Sequence, residues 1–177
     1  MRSSPDGTLV LRPASPRDGV DVWSMIREIG PGENGFHNEG YRVPFCRFGE
    51  FLVRLDEMRH GRGLPAGWVA QTTFWAFVGE RPVGISKLRH RLTDALCQTG
   101  GHIGYCVRPS ERGRGHGTAM LRGTLDEAAA IGIDTVLITV NEDNPASWRI
   151  VEKNGGALTR IDDGKRYYDV PTRNRRA

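Results

Sequence analysis

Long apolar runs, paired cysteines and internal repeats are all missing from this 177-residue chain. No stretch approaches the roughly 18 uninterrupted apolar residues that can cross a bilayer. Residues 1–7 carry no apolar core behind Arg2, so neither membrane insertion nor export is expected. Cysteine is limited to Cys46, Cys97 and Cys106, an odd number at wide spacing with no Cys-x-x-Cys pair, which points to reduced thiols and a cytoplasmic protein. Zinc is disfavoured by the same scarcity. In a strand rising about 3.3 Å per residue, His102 and Cys106 stand about 13 Å apart, too far for one tetrahedral ion, and no metal is expected. A large excess of one charge is also lacking, since 25 basic residues face 21 acidic ones. Of the net +4, three arginines (Arg173, Arg175, Arg176) sit in the terminal residues 171–177, without the interleaved aromatics of a nucleic-acid surface. Four more (Arg108, Arg112, Arg114, Arg122) face a single glutamate, Glu111, in one short stretch, and the remainder is slightly acidic. No nucleic-acid partner is expected, and a homodimer is compatible with the sequence.

The chain does hold 23 glycines, and they punctuate short elements rather than form a linker. Residues 9–11 read as a strand. Ser15, Pro16 and Asp18 then supply an N-cap, a first helical position and a first-turn acid for a helix to about Ile29, with Val22 or Trp23, Ile26 and Ile29 as its core stripe. Residues 30–44 form a long polar and aromatic loop, of the kind that serves as a lid or binding loop. Phe48, Phe51, Leu52, Leu55 and Met58 trace an amphipathic helix. Residues 72–78, 83–92 and 101–107 read as an antiparallel meander. A helix over 115–131 follows, then a β-branched strand over 135–141 of the kind buried on both faces. Asn144-Pro145 caps a further helix to about Asn154, closed by Gly155 or Gly156. Two last strands flank Asp163-Gly164, a strong type I′ hairpin signal. The order predicts one α+β domain over residues 1–170, with a basic tail over 171–177 and helices on both sides of a central, mostly antiparallel mixed sheet of about seven strands.

Between a strand and a helix stands Val107-Arg108-Pro109-Ser110-Glu111-Arg112-Gly113-Arg114-Gly115-His116-Gly117-Thr118. Alternating glycines at the positive end of a helix leave successive N–H groups open to an anion, and Arg112 and Arg114 add charged donors. A phosphate or pyrophosphate is the ligand implied. The Walker pattern is absent, and the dinucleotide fingerprint fails because the third glycine comes one residue early and follows a meander.

Arg112-x-x-Gly115-x-Gly117 resembles the acetyl-coenzyme A signature of the GCN5-related N-acetyltransferase superfamily, whose strand and helix order is similar to that above over much of the chain. Gly104-Tyr105-Cys106-Val107-Arg108-Pro109 resembles the strand whose backbone pairs with the pantetheine arm, and Asn144 with Ser147, Ile150, Lys153 and Gly155 resembles the family's late helix. Gly100-Gly101-His102-Ile103-Gly104-Tyr105, with Arg89-His90 before it, looks like a poorly characterised subgroup of predicted acetyltransferases. The resemblance implies acetyl-coenzyme A as co-substrate, direct transfer to a primary amine of a small molecule or peptide, and a cofactor cradle of Tyr105, Cys106, Val107, Arg112, Gly113, Arg114, Gly115, His116, Gly117, Thr118 and Asn144. A backbone N–H between Tyr105 and Val107 would serve as oxyanion donor. Such a reaction needs a base, and His102 is the first candidate because it opens the strand beside the reaction centre; Glu33 is second and His90 third. Glu33, His37, Tyr41 and His90 are candidate substrate contacts. Many members carry an acidic tyrosine seven residues after the capping asparagine, where Val151 stands here, so Tyr105 is the substitute acid or none is used. Cys106 as a nucleophile is the competing idea, against the usual inertness of a buried strand cysteine. A non-catalytic acyl-coenzyme A binding module is the alternative function.

Overall fold

The computed structural model describes residues 8–172; residues 1–7 and the arginines of the expected tail, 173–177, lie outside them. The chain runs β1 (Leu9–Pro13), α1 (Val20–Ile29), α2 (Phe48–Arg59), β2 (Gln71–Val78), β3 (Arg81–Arg89), α3 (Asp94–Gln98), β4 (Ile103–Val107), α4 (His116–Ala130), β5 (Thr135–Asn141), α5 (Pro145–Lys153), β6 (Ala157–Asp162) and β7 (Lys165–Pro171). The α+β class and the helix and strand order agree with the sequence reading, apart from the five-residue α3. That helix is capped by the Thr93 hydroxyl, which accepts from the Leu96 N–H. Globular structure also reaches past residue 170: Thr172 is buried, and its hydroxyl donates to the Ile133 carbonyl at 2.7 Å.

Seven strands form, but not in one sheet. One sheet has the order β1-β2-β3-β4 and the other β5-β7-β6, and every pairing is antiparallel. β4 and β5 are therefore edge strands that share no ladder. The sheets are tied where the His102 N–H donates to the Leu137 carbonyl at 2.7 Å and the Leu137 N–H donates to His102 Nδ1 at 2.9 Å. Met25, Ile26, Phe48 and Leu52 from α1 and α2 pack with Trp75, Phe77 and Ile85 on one side of the first sheet. Across its other side runs α4, whose Leu121 and Leu125 reach Phe74 and Leu88 of the first sheet and Ile138 and Tyr168 of the second. α4 therefore packs against both sheets through one apolar stripe. Fully burying each such side chain is worth about 1.5–3 kcal/mol, so no covalent brace is required.

Two expectations need correction. α1 starts at Val20 behind Gly19, because the Asp18 carboxylate is drawn away to the Ser15 N–H and the Trp75 Nε1–H, both at 2.7 Å, and makes a turn instead of a first helical residue. β5 is buried on one face only: Val136, Ile138 and Val140 point into the core, while Leu137, Thr139 and Asn141 are partly open. Val22 rather than Trp23 joins the core stripe of α1, and Gly155, at φ +85°, closes α5. The hairpin is as expected, with Asp163 and Gly164 both at positive φ between paired Asp162 and Lys165.

Candidate active site

Between β4 and α4 the chain passes through Arg112-Gly113-Arg114-Gly115. Gly113 (φ +77°) and Gly115 (φ +82°) are left-handed, and a Cβ at either would meet nothing within 4 Å, so the angle and not space calls for glycine. Gly115 caps α4 without a side-chain bond, and its carbonyl accepts from the Thr118 and Ala119 amides. The amides of His116 and Gly117 thus head the helix with no intrahelical acceptor, at its positive end. Beneath the turn, buried Glu111 accepts from Arg81 and lies 3.1 Å from Arg114 Nη1; the Arg81 hydrogen bond, then Arg114 and Arg81 charge, hold its carboxyl below the ordinary range. Arg114 is accordingly turned toward Glu111 and away from the adjoining cavity, which Arg112 lines. Arg108 is a staple too, holding Glu28 of α1 through Nε and Nη2 and the Pro82 carbonyl through Nη1.

The split between β4 and β5 opens into a cavity of about 820 Å³. That is the size of a small-molecule or cofactor site. At one end lie Val107, Arg112, Gly113, Gly115, His116, Gly117, Thr118 and Asn144, all expected cradle residues. Tyr105 and Cys106 line its length. At the other end stand Phe36, His37, Glu39, Lys87, Arg89 and Thr139. Since β3 pairs Lys87 with Gly104 and Gly84 with Val107, the strand rise places the two ends about 10 Å apart. The 30–44 loop roofs the cavity. It is pinned by Asn38, whose amide donates to the Ile26 and Gly30 carbonyls, and by Lys87 Nζ, which donates to the His37 carbonyl at 2.6 Å and to Glu39.

His102 does not line the cavity. Its Nδ1 accepts the Leu137 N–H, so the neutral ring carries its proton on Nε2 and has no lone pair left for a base. Burial pushes its pKa down, and the nearby Arg89 charge acts in the same direction. Glu33 does line the cavity, but its carboxylate pairs with Arg112 at the cradle. His90 is directed elsewhere, with Nε2 at 2.8 Å from the Thr72 hydroxyl, and Tyr41 stacks under Arg27 at 5.0 Å; neither reaches the cavity. His37 contributes its carbonyl to Lys87.

Tyr105 and Ser147 meet across the cavity at 2.9 Å, hydroxyl to hydroxyl, and burial pushes the Tyr105 pKa up to about 12. Cys106 is buried, and desolvation raises its thiol pKa, so a thiolate is disfavoured. The late-helix position that lacks a tyrosine, Val151, is sealed in the core at 0% exposure. Sequence reasoning missed Phe36, Glu39 and Lys87, and assigned no role to Arg89 or Ser147. A signal existed: Lys87 and Arg89 follow the mostly apolar run over residues 82–86, and β3 is interior to its sheet, where unsupported charge is rare. Among the described residues, no helix is long and apolar enough to cross a membrane.

The sequence profile described as acetyltransferase (GNAT) domain matches residues 8–157. A 58-residue segment, 30% of this chain, is 40% identical to the L-2,4-diaminobutyric acid acetyltransferase of Nocardia farcinica and spans only 30% of that protein. Mycobacterium smegmatis RimJ, solved with a coenzyme A disulfide, superposes with a TM-score of 0.67 at 24% identity, covering 94% of this chain and 83% of its own. The N-acetyltransferase PseH of Campylobacter jejuni, solved with acetyl coenzyme A, gives 0.61 at 13%, covering 92% and 98%. These likenesses are of fold.

Proposed function

Because this chain belongs to the GNAT acetyltransferase family, we propose that it moves an acetyl group from acetyl-coenzyme A directly to a primary amine. One observation carries the reading: a glycine turn with free helix amides opens into the same cavity as two unpaired strand edges and a hydroxyl pair. Acetyl-coenzyme A supplies the activated thioester. The turn fits its pyrophosphate, because the open space at Gly113 and Gly115 admits an anion to the His116 and Gly117 amides and to Arg112. N–H groups on the free β4 edge between Tyr105 and Val107 are the donors available to polarise the acetyl carbonyl.

The amine must arrive neutral and lose a proton as the C–N bond forms, and the departing sulfur must gain one as the C–S bond breaks. Tyr105, protonated at neutral pH and hydrogen-bonded to Ser147, is positioned to give the second proton and to regain one from water as the products leave. For the first, Glu39 replaces His102: Lys87 occupies Oε2 and leaves Oε1 to accept. Thiol release from acetyl-coenzyme A, measured against amino acids, diamines and free peptide amino termini, tests this. Ser147→Ala combined with Tyr105→Phe is expected to lower kcat about 100-fold with little change in coenzyme A affinity. Tight acetyl-coenzyme A binding with no release for any amine would refute transfer and favour the non-catalytic binding module.

A further inference from the structure

The cavity end away from the cradle has an unbalanced charge. Lys87 is 8% exposed and is compensated by Glu39. Arg89 has no such partner: its Nη1 donates to the Gly100 and Gly101 carbonyls at 3.3 and 2.9 Å, and it forms no ion pair among the described residues. Those two carbonyls fix the guanidinium plane while neutralising nothing. Burial acts against the Arg89 charge, lowering its pKa, and Glu39 only partly offsets this. A half-buried arginine held in one plane, with its remaining N–H groups uncommitted, is built for a two-oxygen anion.

Resting on the transfer reading above, we infer that the acceptor amine carries a carboxylate, which Arg89 receives, so that amino acids are preferred over polyamines. A polyamine would bring further positive charge to an end whose one carboxylate is already paired with Lys87. Arg89 sits in register with the His102 carbonyl, three residues from Tyr105, about 10 Å along the strand.

The experiment compares amines differing only by a carboxylate: 2,4-diaminobutyrate with 1,3-diaminopropane, ornithine with putrescine, lysine with cadaverine. In each pair the carboxylated member is expected to have a kcat/KM at least about 30-fold higher. Arg89→Gln should shrink that ratio to under about threefold through KM alone, with coenzyme A binding unchanged by calorimetry. Calorimetric titration of the same pairs into protein saturated with coenzyme A reads the preference without turnover, and separates this inference from the transfer reading. Equal or reversed preference in the wild-type protein overturns the inference even if transfer is seen, as does equal use of peptides with amidated carboxy termini. Should Arg89→Gln fail to fold, Arg89→Lys, which keeps the charge and loses the planar fork, is expected to give an intermediate ratio; an unchanged ratio overturns the role of Arg89.

Discussion

Replacing Gly101 by alanine tests whether the two sheets are held together by backbone contact. Gly101 has φ +61°, and its new Cβ would stand 2.3 Å from the Leu137 oxygen and 3.0 Å from the Leu137 carbonyl carbon. Ordinary contact begins near 3.4 Å, so the β5 backbone must retreat by about 1 Å. The left-handed angle costs about 1 kcal/mol for a residue with a Cβ. Retreat also stretches the bonds between His102 and Leu137, 2.7 and 2.9 Å long, each contributing about 0.5–1.5 kcal/mol. The sum is about 3 kcal/mol, a fall in Tm of about 6–12 °C for a chain of this size. Gly113→Ala is the control, because it has a similar φ of +77° and nothing within 4 Å. It should lower Tm by only about 2–4 °C. Thermal melts of the three proteins by circular dichroism decide the matter. If the two variants melt alike, close approach at Leu137 is not what joins the sheets, and the reasoning about the split fails.

Glu28 gives a pH signature: chiefly through its hydrogen bond to Arg108, its pKa is lowered from 4.5 to about 2. A depressed carboxylate stabilises above its unfolded pKa and loses that contribution as pH falls through the folded one. Since Glu28 is 30% exposed, solvent screening leaves about 1 kcal/mol, so Glu28→Gln should have a lower urea midpoint at pH 7, with the gap closing between pH 4.5 and 2; a gap unchanged at pH 2.5 argues against the pair. Gly115→Glu places bulk and negative charge at the head of α4, and the rise in Tm that coenzyme A gives the parent protein should vanish; a retained rise would sink the cradle. His102→Asn keeps an acceptor for the Leu137 N–H and should hold kcat within about threefold, whereas loss of a true base costs at least about 100-fold.

Where local geometry decides, the residues were informative on their own. Asp163-Gly164, the glycine turn at 113–117 and the Asn144-Pro145 cap all read correctly, because their spacing dictates a backbone that nothing distant alters. The site's far end was less legible. His102, His90 and Tyr41 have suitable chemistry, but Leu137, Thr72 and Arg27 claim them, and those partners lie 35, 18 and 14 residues away. Glu39 and Lys87 become a pair only when the roof loop folds over β3, a contact spanning 48 residues. The single-sided burial of β5 escaped for a related reason: apolar, β-branched composition does not reveal whether the second face is packed or left partly open beside the gap between β4 and β5.

That gap changes what an open sheet edge means here. Elsewhere, an unpaired strand edge is a template on which a second polypeptide can grow, and proteins blunt it with charge, bulges or coverage. β4 and β5 carry such edges without those devices, but turn them toward each other inside a chamber roofed by the 30–44 loop and pinned shut at Gly101–Leu137. The fold thus turns the edges of β4 and β5 toward one shared cavity and leaves β1 and β6 as the sheet edges outside it.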